Sequence, residues 1–419
     1  MDKLVISGGL PLHGTVEISG AKNAALPILI GTVLTGAKCT IENVPDILDV
    51  DLTLEILEKM GARIARKHNT VVIDTAAVKP GISPSDLVSK MRGSTYLIGA
   101  ELGRFKYAKV GTSGGCDFGS RPIDQHIKGF EALGATVDAR GYFVEAKAEK
   151  LVGSEVYFDL VSVGATVNAI LASVFAKGMT VLENAAREPH VVDLANFLNA
   201  CGASIVGAGT DTIKIKGVTS LHGATYAIIP DMIEAGTYMF AAAATHGKVK
   251  INNVIPKHLD SISAKLSEMG VDVEELDDAI VVDASGELGA INVKTRPYPG
   301  FPTDMQPQIT ALLCFANGTG RVTEDVYDSR FRYVEELRKT GANIAVAGKT
   351  ATVEGRGGEG LVGAPMKSVD LRGGAAMVIM GLAVSGRTEI TEIHTIERGY
   401  NDIVRKLTAL GADIRKISY

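Results

Sequence analysis

The sequence predicts an α/β protein built from six copies of one strand-helix-strand-helix-strand unit, grouped as two globular domains of three βαβαβ-type repeats each. Three observations carry this. Six times an apolar residue is followed four positions later by glycine, then a small residue, one variable residue and a β-branched residue. The phrases stand about 70 residues apart, longer than a solenoid repeat and enough for a small α/β unit. The full length of 419 residues would ordinarily divide into two or three domains.

Taken in order, the phrases are Leu57 with Gly61 to Ile64, Phe130 with Gly134 to Val137, Leu198 with Gly202 to Ile205, Leu266 with Gly270 to Val273, Leu337 with Gly341 to Ile344, and Leu407 with Gly411 to Ile414. Each reads as a helix stop: glycine tolerates the left-handed closing position, and the β-branched residue opens a strand. The first helix of each unit is expected to begin near Gly20 to Asn23, Met91 to Gly93, Ser162 to Gly164, Pro230-Asp231, Thr303-Asp304 and Leu371 to Gly373. The second follows a strand and a polar loop, as in Thr40 to Asp46, Val181 to His190, Lys250 to Lys257, Arg321 to Asp328 and Glu389 to Arg398. In the second unit that loop is the glycine-rich run from Gly111 to Pro122.

With 46% hydrophobic and 22% charged residues, the chain can bury large cores and carries no compositional sign of disorder. Its start lacks a basic segment followed by an apolar stretch, and no apolar run approaches the ~18 residues that span a membrane. The expectation is a cytoplasmic protein without a membrane partner. Cys39, Cys201 and Cys314 sit in strand-like or helix-like apolar runs and read as inert core thiols in a reducing compartment. A net charge of −5 gives no basic field for a nucleic-acid duplex, so an anionic ligand must be held by a local cluster. The Gly-x-x-x-x-Gly-Lys-Ser/Thr phosphate loop, Cys-x-x-Cys and His-Glu-x-x-His are all lacking, so metal catalysis is unsupported.

The helix starts are where such a cluster can form, because unpaired N–H groups and the helix dipole favour an anion there. Lys22, Arg92, Arg121, Arg372 and Arg398 recur at or near these starts, though each alone also suits a solvated surface. Pro122 fits the first helical position and puts Arg121 beside the loop. Cys116 follows two glycines with no apolar pattern to bury it; its thiol suits a proton donor or nucleophile, or else simply rides a flexible loop. Asp231 after Pro230 reads as an N-cap or a ligand. Asp304 lies in the proline-rich approach Tyr298 to Gln306, which aims its carboxylate. His126 covers its helix surface, and His190 and His258 stand at helix starts where capping and ligand binding are equally open.

Gly20 to Asn23, Gly114 to Cys116, Gly119 to Asp124, Val161 to Thr166, Pro299 to Met305 and Glu397 to Tyr400 form an ordered set spread over the whole chain. On these motifs the sequence resembles the UDP-N-acetylglucosamine 1-carboxyvinyltransferases, the MurA family of enolpyruvyl transferases. The resemblance implies an inside-out α/β barrel, two globular domains with buried helices and outward sheets. It also implies domains of 22–229 and, discontinuously, 1–21 with 230–419, with the active site in the cleft between them. Too few residues follow Gly411 to finish a sixth unit, and the strand from Gly14 to Ser19 is expected to supply the missing piece.

The implied reaction moves enolpyruvate from phosphoenolpyruvate to the 3-hydroxyl of UDP-N-acetylglucosamine and releases phosphate, the first committed step of peptidoglycan synthesis. No cofactor is implied, and a monomer is expected. By resemblance, Lys22, Arg92, Arg121 and Arg398 surround phosphoenolpyruvate, and Asn23 binds nearby. Cys116 matches the loop cysteine implicated as proton donor, covalent partner and fosfomycin target. Asp304 matches the candidate general base at the sugar hydroxyl. Arg121, Pro122, Ile123, Asp124, Gln125, Ser162, Val163, Gly164 and Val326 match the uridine-diphosphate surface; Asp231, Arg330 and Arg372 match positions near the active site. Ser113, Asp117, Phe118, Leu160, His190 and Met232 depart from the family pattern, and Leu160 stands where some relatives place a lysine that helps hold the nucleotide. Two rivals are a transferase acting on shikimate 3-phosphate, against which the Cys116 loop argues, and a non-catalytic nucleotide-sugar binder.

Overall fold

A computed structural model describes residues 2–81, 84–88, 90–111 and 123–418. The six phrase glycines all have positive φ, from 92° at Gly134 to 110° at Gly61. In five phrases the amide after the glycine donates to the carbonyl of the apolar residue that opens the phrase. Ala62 donates to Leu57, Ala135 to Phe130, Ala203 to Leu198, Val271 to Leu266 and Ala412 to Leu407, at 2.9–3.1 Å. The spacing therefore encodes a Schellman closure, with the apolar residue at the third position from the helix end.

A strand follows each closure: Arg63–Lys67, Thr136–Asp138, Ser204–Val206, Asp272–Glu275, Asn343–Ala347 and Asp413–Ser418. The first five turn back antiparallel onto the next strand in sequence, Thr70–Asp74, Phe143–Lys147, Thr212–Lys216, Ala279–Asp283 and Thr350–Arg356. The sixth has no strand after it, and Asp2–Gly8 takes that place, between Asp413–Ser418 and Gly386–Thr391. This corrects the expectation for the segment from Gly14 to Ser19: the strand His13–Glu17 pairs parallel to Lys248–Asn252 and completes the fourth sheet instead. Asp2–Gly8 lies inside the sixth sheet, and its three central residues Leu4, Val5 and Ile6 are all buried.

The chain divides into two units, residues 2–19 with 230–418, and residues 20–111 with 123–229. In the latter, helices Lys22–Thr35, Tyr96–Phe105 and Val163–Ser173 pack on one another. Every residue of Lys22–Thr35 except Asn23 is buried. Such a helix, apolar on all sides, belongs inside a core. Gly99 and Gly103 allow the close approach: a Cβ at either would stand 2.5 Å from the carbonyl oxygen of Asn168 or Leu171. The other unit repeats the plan with Met232–Ala244, Gln306–Leu313 and Leu371–Ala383, nearly all buried. The second helices, such as Leu48–Lys59 and Asp260–Glu268, bury one face only. In each unit the sheets lie outside the helices, with strands such as Phe143–Lys147 alternating between buried Val144 and Ala146 and more exposed neighbours. Among the described residues no helix is long and apolar enough to cross a membrane.

Candidate functional site

In the unit of residues 2–19 and 230–418, three buried helices begin with polar residues that face each other. Asp231 caps Met232–Ala244, accepting from the amides of Ile233 (2.7 Å) and Glu234 (3.0 Å). The capping reading of Asp231 is thus realised. Asp370 caps Leu371–Ala383 in the same way, through the amides of Arg372 and Gly373. Pro302 leads into a 3-10 turn, Thr303–Met305, which hands over to Gln306–Leu313 and holds Asp304 at the helix start.

Asp304 is the centre of this cluster. One carboxylate oxygen accepts from Arg330 Nη2 at 2.9 Å; the other accepts from Arg372 Nη2 at 3.1 Å and Nε at 3.3 Å. Both arginines are 3% exposed. Burial opposes the carboxylate charge, but Arg372 and Arg330 outweigh it and hold Asp304 well below the usual carboxylate range. Arg372 is desolvated too, yet Tyr400, Asp304 and Asp231 keep its guanidinium firmly charged. Its guanidinium lies 5.4 Å from the Tyr400 ring centre, and the Tyr400 hydroxyl is fixed behind by Thr237 (2.9 Å) and Gln308 (3.3 Å).

Arg330 also donates to Thr303 Oγ1, which donates on to buried Glu324. The other oxygen of Glu324 accepts the amides of Val326 and Tyr327 at 2.9 and 3.1 Å, so this carboxylate shapes the loop that carries half-exposed Val326. Glu324, Gln308 and the supporting role of Tyr400 escaped the sequence reading. Tyr400 lay in a quoted motif, but Glu324 and Gln308 sit in runs with no pattern to single them out. Arg398 follows the short helix His394–Glu397 and is partly buried.

In the unit of residues 20–229, Lys22 opens its helix and pairs with Asp49 at 2.7 Å, both side chains nearly buried. Asp49, in the first turn of Leu48–Lys59, was hidden among residues that look like ordinary helix-start acids. Asn23 is the one residue of the Lys22 helix that is not buried. Arg92 begins the 3-10 turn Arg92–Thr95 ahead of Tyr96–Phe105, and its charge acts on His126. His126 is 5% exposed, its Nδ1 lacks a hydrogen-bond partner among the described residues, and burial together with Arg92 pushes its imidazole down to about 4.

Ser162 caps Val163–Ser173 through the Ala165 amide at 3.3 Å, which leaves Val163 and Gly164 partly buried in the first turn. Gly164 lies close to the His126 ring, since a Cβ there would stand 2.7 Å from His126 Nε2 and the imidazole would have to shift. Ile123 precedes the helix Asp124–Ala132, and Gln125 ties that helix to the next loop. Its amide donates to Asp124 (3.0 Å) and Asp159 (3.1 Å) and its oxygen accepts the Asp159 amide (2.9 Å). Arg92, His126, Gln125 and the Ser162 turn therefore form one neighbourhood. Cys116, Arg121 and Pro122 lie outside the described residues, as do Ser113, Asp117 and Phe118. Among the described residues no group of three His, Cys, Asp or Glu side chains stands close enough to hold a metal ion.

Each unit thus presents buried cations at helix starts, the chemistry that receives a phosphate or carboxylate. A family model described as EPSP synthase (3-phosphoshikimate 1-carboxyvinyltransferase) matches residues 6–407. The UDP-N-acetylglucosamine 1-carboxyvinyltransferase 3 of Caldanaerobacter subterraneus is 55% identical over 417 residues, with both chains fully covered. The UDP-N-acetylglucosamine 1-carboxyvinyltransferase of Clostridium botulinum is 55% identical over 419 residues, again with both covered in full. Among solved structures, the enolpyruvyl transferase NikO from Streptomyces tendae superposes with a TM-score of 0.89 at 28% identity, covering 100% of this chain and 99% of its own. EPSP synthase from Acinetobacter baumannii shares the fold, with a TM-score of 0.75 at 18% identity and full coverage of both. The chain belongs to the EPSP synthase family of enolpyruvyl transferases and, within it, to the UDP-N-acetylglucosamine 1-carboxyvinyltransferases.

Proposed function

We propose that this chain transfers the enolpyruvyl group of phosphoenolpyruvate to the 3-hydroxyl of UDP-N-acetylglucosamine, releasing phosphate in the first committed step of peptidoglycan synthesis. The observation that carries the reading is the end-to-end identity of 55% with relatives bearing that name. The buried Arg330-Asp304-Arg372 cluster supplies matching chemistry. The sugar oxygen bonds to C2 while C3 gains a proton; the tetrahedral ketal then loses the C3 proton and expels phosphate. Fixed cations favour the anionic ketal over the reactants because they need no reorganisation as charge develops.

In this reading Lys22, Arg92, Arg121 and Arg398 receive phosphoenolpyruvate, with Asn23 beside them, and Cys116 delivers the proton to C3. Ile123 to Gln125 and Ser162 to Gly164 hold the nucleotide together with Arg121, Pro122 and Val326. Asp304 takes the proton of the sugar hydroxyl, while Arg330, Arg372 and Asp231 set its charge and position. Residues of both units serve one reaction in a monomer, which acts in the cytoplasm. No cofactor is required.

The test is incubation of purified protein with both substrates and mass spectrometry of the nucleotide sugar. The expected product carries one added enolpyruvyl group, with equimolar phosphate. Turnover of shikimate 3-phosphate in place of the nucleotide sugar would assign the rival substrate, and nucleotide binding without product would make the chain a non-catalytic binder. Cys116→Ala should abolish alkylation by fosfomycin; labelling found on Cys39, Cys201 or Cys314 would remove Cys116 from the site.

A further inference from the structure

In the unit of residues 2–19 and 230–418, two of the three buried helices send a polar side chain to the same phenol oxygen. Thr237 Oγ1, on Met232–Ala244, stands 2.9 Å from the Tyr400 hydroxyl, and Gln308 Nε2, on Gln306–Leu313, donates to that hydroxyl at 3.3 Å. Thr237, Gln308 and Tyr400 are all buried. The direction of the shortest bond follows from the proton count. Thr237 Oγ1 spends its only proton on the Ile233 carbonyl at 2.7 Å, and it also accepts from Gln308 Nε2 at 3.3 Å. Tyr400 is therefore the donor to Thr237, and its oxygen is the acceptor from Gln308. A buried phenol that both donates and accepts has the position of its ring settled by those bonds.

The third buried helix supplies what that ring supports. Arg372, in the first turn of Leu371–Ala383, has its guanidinium carbon over the Tyr400 ring, 5.4 Å from the centre. Its Nε and Nη2 both bond a single oxygen of Asp304, and Nη1 has no hydrogen-bond partner among the described residues. Two bonds to one oxygen leave the guanidinium plane able to tilt about that oxygen, which would swing Nη1. The Tyr400 ring removes that tilt. A buried guanidinium nitrogen without a partner is costly, so the direction of Nη1 decides whether an anion in the site can satisfy it.

We propose that Tyr400 is a positioning residue for enolpyruvyl transfer: its hydroxyl, held by Thr237 and Gln308, fixes the ring that sets the plane of the Arg372 guanidinium against Asp304. The charge is then aimed before substrate binds, which is where a fixed cation gains over mobile solvent. The kinetic part rests on the enolpyruvyl-transfer reading; the hold on Arg372 does not.

The test compares the wild-type protein with Tyr400→Phe, which keeps the ring and removes the hydroxyl, with Thr237→Val, which removes the acceptor at nearly constant volume, and with Thr237→Ser, which keeps it. In isotope-labelled protein the Arg372 Nε–H resonance, assigned by its loss in Arg372→Lys, should exchange with solvent at least about tenfold faster in Tyr400→Phe and Thr237→Val, and at the wild-type rate in Thr237→Ser. Turnover should fall about tenfold in the first two, with the nucleotide dissociation constant within about twofold, and should stay within about twofold of wild type in Thr237→Ser. The double variant Tyr400→Phe/Thr237→Val should be no slower than Tyr400→Phe, because both substitutions remove the same bond. Unchanged exchange or turnover in Tyr400→Phe, a Thr237→Ser as impaired as Thr237→Val, or losses that multiply to about 100-fold in the double variant would overturn the proposal. If Tyr400→Phe does not fold, the two Thr237 variants decide it. If wild-type protein releases no acceptor-dependent phosphate, the enzymatic reading fails, and the exchange measurement still decides the hold on Arg372.

Discussion

Asp304 divides its charge between two guanidinium groups, and that limits how it can act as a base. A carboxylate held so low accepts a proton poorly, so the general-base role proposed for Asp304 needs a weaker hold by Arg330 or Arg372 than these contacts give. Asp304→Ala should lower kcat by at least about 100-fold, the order expected for loss of a general base, with little change in nucleotide affinity. Equal losses in both would make it a structural cap. In the substrate-free chain Arg372 and Arg330 hold Asp304 ionised well below the usual carboxylate range, so the acid limb of kcat/KM should not report it. His126 behaves oppositely. Its imidazole titrates near 4 in the folded chain against about 6.5 when unfolded, so between these values the unfolded chain binds the proton and stability rises with pH. Acidification from pH 6.5 to 4 should cost about 3 kcal/mol on this account, and His126→Gln should flatten that slope in denaturant titrations. An unaltered slope would show that other groups set it. Lys22, Asp304 and Arg372 were legible in the sequence because they recur at equivalent helix starts. Asp49, Glu324 and Gln308 were not, because their work depends on which distant residue they meet.

The helix closures were legible almost residue by residue, since a left-handed glycine and a carbonyl five residues before the next amide are local requirements that the chain must write locally. Burial of the first helices was less so, because the apolar runs of Lys22–Thr35 and Leu371–Ala383 say only that a helix is surrounded and not by what. The strand completing the sixth sheet was assigned to Gly14 to Ser19 for a related reason: two strands lie near the chain start, and the choice between them is made by partners at the far end of the chain. Close helix contact gives a prediction at this scale. Gly99→Ala would place a methyl carbon 2.5 Å from the Asn168 carbonyl oxygen, inside the van der Waals limit against backbone that cannot yield cheaply. A loss of about 1–3 kcal/mol in chemical denaturation is expected for such overpacking. Stability equal to wild type would mean that the helices Tyr96–Phe105 and Val163–Ser173 are more loosely packed than described.

At the scale of the whole molecule, one αβ design repeated six times gives two units in which Lys22 and Arg372 stand in the first turns of buried helices despite a net charge of −5. Charge on the molecule as a whole therefore says little about its substrate, while the placement of a few arginines says much. The central claim is that both units serve one chemical step. The direct measurement is phosphate release from phosphoenolpyruvate, with and without UDP-N-acetylglucosamine, by the wild-type chain and by Lys22→Ala and Arg372→Ala, one substitution in each unit. The account predicts release that depends strictly on the nucleotide sugar and falls at least about 100-fold in each variant, in line with loss of a preorganised charge at a reacting centre. Full activity in either variant, or release that ignores the nucleotide sugar, would contradict it.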